Sequence, residues 1–87
     1  MKTIWKWPLP GVGNPSLQLP EGAKILTVQP QGPFMAFVWA CVDPDAPLVS
    51  RVFATYGTGC AMPDDPGIYI STYQDGDFVW HVYEVTP

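Results

Sequence analysis

At 87 residues the chain has room for one domain and one core, since domains usually hold ~100–150 residues. Hydrophobic residues make up 47% and charged residues 14%, a balance that excludes intrinsic disorder. The formal charge is −4, from four Lys and Arg against eight Asp and Glu, which leaves too few cations for the broad basic stripe that duplex nucleic acid requires.

No apolar run approaches the ~20 residues of a membrane helix, and no basic start leads into an apolar stretch. Eleven prolines are scattered along the chain and leave no interval for a long helix. The intervals between them are short and rich in aromatic and β-branched residues, which predicts strands. In chain order these are 2–7, 16–19, 24–29, 34–42, 50–57, 67–73 and 78–85. The expected fold is all-β, a small antiparallel sandwich or partly open barrel of about seven short strands in a single domain spanning 1–87.

On the first strand Trp5 and Trp7 share one face, and Lys2, Ile4 and Lys6 share the other. The run Phe34 to Val42 is apolar throughout, so it is expected to be central or covered on both faces. That places Val38 and Trp39 in the core and makes a partner subunit a candidate second cover. Asp43-Pro44-Asp45-Ala46-Pro47 reads as a stiff turn whose aspartates cap local amides. Arg51, the only arginine, follows that turn. It is expected either to pair with an aspartate of the turn or to contact an anionic ligand. Tyr56-Gly57-Thr58-Gly59 ends a strand in a tight bend, and Met62 to Gly67 forms a polar connection. The last hairpin turns through Gln74-Asp75-Gly76-Asp77, with Asp-Gly suited to a type I′ turn.

The chemistry-bearing residues are few. No glycine-rich phosphate loop exists, and Gly57-Thr58-Gly59 is too short to act as one. His81 is the single histidine and reads as a half-buried strand residue with one partner. Nothing in its spacing from Cys41 and Cys60 requires a metal. Neither thiol sits beside basic residues, so both are expected to be reduced, buried and non-catalytic, with a Cys41–Cys60 disulfide as the alternative. The paired aspartates fall in turns. No nucleophile–base–orienter set is present, so no enzyme activity and no cofactor are expected. Four Trp and four Tyr, by contrast, exceed what one small core readily buries, and both residue types are favoured binding anchors.

The segments Lys2-Thr3-Ile4-Trp5-Lys6-Trp7-Pro8-Leu9, Leu19-Pro20-Glu21-Gly22-Ala23-Lys24-Ile25-Leu26-Thr27-Val28-Gln29, Trp39-Ala40-Cys41-Val42-Asp43-Pro44, Tyr56-Gly57-Thr58-Gly59 and Phe78-Val79-Trp80-His81-Val82-Tyr83-Glu84 resemble a small single-domain family. That family is common in phage and prophage genomes and has no assigned activity. The resemblance covers nearly the whole chain. It implies a self-contained accessory protein acting in the cytoplasm of an infected bacterial host, and it carries over no catalytic residue. The leading expectation is a protein-binding inhibitor of a bacterial antiviral defence component. The alternatives are an oligomeric sponge that sequesters a nucleotide signal molecule, or a minor virion protein. The expected partner is a host bacterial protein, with self-association as a dimer favoured and no membrane contact. The expected binding residues are Arg51, Tyr56, Gly57, Thr58, Gly59, Trp5 and Trp7, with Arg51→Lys weakening binding and leaving the fold alone.

Overall fold

A computed structural model describes residues 1–33 and 35–86. It shows seven strands: β1 (Thr3–Leu9), β2 (Ser16–Pro20), β3 (Lys24–Pro30), β4 (Ala36–Val42), β5 (Leu48–Gly57), β6 (Ile68–Asp75) and β7 (Phe78–Val85). They form two antiparallel sheets, one in the order β1-β4-β3 and one in the order β2-β5-β7-β6. The all-β sandwich expected from the prolines and the β-branched runs is the observed architecture. The start of the predicted fourth strand at Phe34 lies outside the described residues.

Proline placement explains much of the strand order. Pro8, Pro20 and Pro30 lie in β1, β2 and β3, all edge strands. Proline lacks the N–H that a central strand needs for its second ladder. The central strands β4, β5 and β7 contain none.

Period-2 alternation then selects the core. In β4, Ala36, Val38, Ala40 and Val42 are buried and the residues between them are half-buried. Leu9, Val28, Ala36, Val38, Phe53 and Val82 form one cluster between the sheets. Leu19, Ala23, Ala40 and Val42 form a second. Leu17 and Ile25 pack against both and join them.

Two expectations about β4 separate here. Val38 is fully buried and β4 has a neighbour on each side. Trp39 is not in the core: it alternates to the outer face with Phe37 and Cys41 and is half-buried. Both parities of this strand are apolar, so hydrophobicity alone cannot say which one points inward. The thiols depart from expectation in their burial: both are free, but Cys41 is half-buried on the outer face and Cys60 is exposed.

The two sheets meet along one side, where the edge strands β3 and β6 approach. Each edge carries an irregularity, between Ile25 and Thr27 in β3 and between Tyr69 and Ser71 in β6. Bulges of this kind bend an edge and interrupt its pairing. In place of a ladder, the seam is held through Ser71, which is 7% exposed. Its hydroxyl donates to the Val28 carbonyl at 2.9 Å and accepts from the Gln29 amide at 3.2 Å. The Thr27 hydroxyl lies 3.1 Å from it. Among the described residues no buried side-chain polar atom is left without a partner.

The last turn sits one residue later than the sequence suggests. Asp75 pairs with Phe78, so the two central residues are Gly76 and Asp77. Gly76 takes the positive φ of 59°, which glycine adopts without steric cost.

Candidate functional site

Three tyrosines from three strands converge on the outer face of the four-stranded sheet. The registers place Tyr56 beside His81, Tyr69 opposite Tyr83, and Thr72 opposite His81. Opposed residues of an antiparallel pair share a face. Val82, between His81 and Tyr83, is fully buried, so these side chains point away from the core. Tyr83 stands in the middle. Its ring meets Tyr56 edge-on at 6.0 Å and Tyr69 edge-on at 5.6 Å, geometries that the ring quadrupole favours. Ala54, across from Tyr83, supplies the small side chain that lets the rings lie over the sheet.

A hydrogen-bonded chain runs beside the rings. The Tyr69 hydroxyl lies 2.6 Å from the Thr72 hydroxyl. Thr72 lies 3.0 Å from His81 Nδ1, and the Thr58 hydroxyl lies 2.7 Å from His81 Nε2. His81 therefore has two partners, not the one expected. With both nitrogens engaged by hydroxyls, the imidazole is fixed between Thr58 and Thr72, and through Thr72 it connects to the Tyr69 hydroxyl. The outward positions of β2, β5, β7 and β6 add Ser16, Gln18, Ser50, Val52, Val79, Val85 and Gln74. None of these is Lys, Arg, Asp or Glu.

The residues expected from sequence to bind are not all brought to one place. Tyr56 and Thr58 belong to this face. Gly57 lies behind it: a Cβ there would meet the Trp80 ring at 3.2 Å and Cys60 Sγ at 3.3 Å, so the glycine seats the indole. Gly59 occupies the exposed turn that follows, with φ of 85°. Trp5 and Trp7 sit on the other sheet and are not brought to these residues. They pair with Ala40 and Val38, which puts them on the inward side of β1. Trp7 packs against the second core cluster. Trp5 remains 40% exposed, with its ring edge-on to Trp7 at 6.2 Å.

Arg51 is held inside the sandwich. Its Nε and Nη2 donate to the two Glu84 carboxylate oxygens at 2.5 and 2.7 Å, and its Nη1 donates to the Ala23 carbonyl. The partner is thus Glu84 on β7, not an aspartate of the preceding turn. Of those aspartates Asp43 caps an amide, accepting from the Asp45 N–H at 3.0 Å. Hydrogen bonding to Glu84 holds the Arg51 pKa above its ordinary value, against a smaller opposing effect of burial. The side chains are 21% and 14% exposed, so the pair is partly desolvated. This engagement changes the expected effect of Arg51→Lys. Lysine cannot reproduce a bidentate fork plus a third bond, and the variant is expected to lose roughly 1–3 kcal/mol of stability. Urea denaturation measures this directly, and an unchanged midpoint would show that the clamp contributes nothing.

A cavity of about 200 Å³ opens at one end between the sheets, with Leu9, Met35, Thr55, Tyr73, Asp75 and Trp80 among its lining residues. Burial first, and the Asp75 carboxylate second, push the Tyr73 phenol above its ordinary pKa. The volume is below the ~300–1,000 Å³ of ordinary ligand pockets and suits a single side chain better than a nucleotide. Among the described residues no group of three or more His, Cys, Asp or Glu side chains comes together.

The tyrosine row was accessible to sequence reasoning only in part. Strand alternation gives the parity of Tyr56 and Tyr83. Tyr69 joins them through a register that depends on the irregularity at Ile70. Comparison with known proteins finds no match among curated proteins and none among solved structures. A family model described as a domain of unknown function (DUF7352) matches residues 1–87, and the chain, with its seven-stranded sandwich, belongs to that family.

Proposed function

We propose that the protein is a non-enzymatic binding protein that engages a protein partner through the outer face of its four-stranded sheet. The observation that carries this reading is the Tyr56–Tyr83–Tyr69 row with its His81 hydroxyl network. Tyrosine offers large contact area and a polar handle while ordering only two side-chain torsions. Here the edge-on contacts and the hydroxyl chain order the rings before any partner arrives, which reduces the entropy lost on binding. The partner is a host bacterial protein, and binding inhibits a component of antiviral defence by occluding it. The resemblance to phage and prophage proteins supports that choice of partner. The net charge of −4 supports a basic surface on it, through steering at long range.

The test is capture of the partner from host lysate, followed by a calorimetric titration of the purified pair with Tyr69→Ala and Tyr83→Ala. Tyr69 is 54% exposed on an edge strand, so its truncation leaves the core untouched. Each variant is expected to weaken binding at least about tenfold, the scale of a binding hot spot. Wild-type affinity in both would remove this face from the interface.

A further inference from the structure

The net charge conceals a segregation. The three strands β1, β4 and β3 contain two lysines, Lys6 and Lys24, and no carboxylate. A third lysine, Lys2, immediately precedes β1. All eight Asp and Glu residues lie elsewhere in the chain. On the outer face of this sheet the registers set Lys6 beside Trp39, and Lys24 and Ile4 beside Cys41. The Lys6 ammonium lies 4.8 Å from the centre of the Phe37 ring and 5.4 Å from that of Trp39, and it donates to the Gln31 amide oxygen.

From this arrangement we infer that the outer face of the three-stranded sheet binds single-stranded nucleic acid. Phe37 and Trp39 are two residues apart on one strand, hence about 7 Å apart along it, far enough to take one base each. Lysines flank the rings on both neighbouring strands, where a phosphate backbone following the stacked bases would run. A duplex hides its bases in the stack and offers these rings nothing, so the surface selects single strands. Lys6 now covers the rings. On binding it exchanges ring faces for a phosphate, and the bases take its place. Stacking of a base on an aromatic ring is worth more than an exposed cation–π contact, so the exchange is favourable. An acidic protein would satisfy the lysines but would leave the two rings without stacking partners. This face lies on the opposite sheet from the tyrosine row, and the inference stands independently of the protein-binding reading.

The experiment is fluorescence anisotropy of a labelled 15-nucleotide oligothymidine titrated with the full chain at several salt concentrations. Unlabelled duplex, mononucleotide and poly-glutamate serve as competitors. Binding is expected to fall with salt at a log–log slope near about −2 for three neutralised phosphates. Lys24→Glu, an exposed substitution, is expected to weaken binding at least tenfold, while Lys24→Arg retains it and Tyr69→Ala leaves it unchanged. Trp39→Leu is expected to weaken binding without changing the salt slope. No binding at low salt, or full binding by Lys24→Glu, overturns the inference. So does equal competition by duplex, mononucleotide or poly-glutamate, which would assign the face to charge alone or to a free nucleotide.

Discussion

Phe53→Ala is expected to cost about 3–5 kcal/mol, the range for removing a buried phenylalanine. Among the described residues Phe53 is the largest fully buried side chain, and it belongs to the cluster between the sheets. It extends from central strand β5 toward the opposing sheet, so neither sheet can collapse into the space without leaving its own ladder. An 87-residue domain has a total stability of only about 5–15 kcal/mol, so the loss takes a large share of it. The corresponding fall in Tm is at least about 12 °C for a domain of this size. Thermal unfolding followed by far-ultraviolet circular dichroism measures it. A fall of only a few degrees would show that the interior repacks freely and that the two clusters are not one cooperative core.

Gly67→Ala is expected to be comparably severe for a different reason. Gly67 precedes β6 and has φ of 101°, a region that side-chain-bearing residues rarely occupy. A Cβ there would stand 2.1 Å from the Glu84 carbonyl oxygen, a backbone atom of central strand β7. The obstruction is not the flexible end of a side chain, so either the start of β6 or the β7 backbone must move. Glu84 also anchors Arg51, and displacing β7 there loosens the clamp. Conformational strain of about 1–3 kcal/mol adds to the clash. The expected readout is a loss of about 3 kcal/mol or more in urea, together with faster amide exchange in β6. Near-native stability would mean that the Asp65–Gly67 turn, in which the Gly67 N–H donates to the Asp65 carboxylate at 3.3 Å, relaxes away from β7 without penalty.

Much of the architecture was legible because local chemistry and global fold agree. Prolines mark the edges and the turns, and strand alternation marks the faces. The β3–β4 hairpin follows from Pro30-Gln31-Gly32-Pro33 and the β6–β7 hairpin from Gly76, although its turn lies one residue later than Asp75-Gly76 suggests. The limits are equally specific. In β4 both parities are apolar, so Trp39 was indistinguishable from Val38 until the opposite sheet fixed which side faced in. Arg51 and Glu84 are 33 residues apart, and nothing local joins them; the antiparallel pairing of β5 with β7 brings them together. His81 gains its two partners from both neighbours of β7, Thr72 through the pairing with β6 and Thr58 from the turn that follows β5. Net charge hides one feature of the surface, because it averages an acid-free three-stranded sheet with the acid-bearing remainder of the chain. Patterning along individual strands recovers that distinction.

Recognition through the Tyr56–Tyr83–Tyr69 face is tested most directly by backbone-amide NMR of the isotope-labelled protein, titrated with its captured protein partner. The expected shift changes cluster on Tyr56, Thr58, Tyr69, Thr72, His81 and Tyr83, on the outer face of the four-stranded sheet. Changes confined to β1, β4 and β3, or to the end cavity around Tyr73 and Trp80, would contradict it.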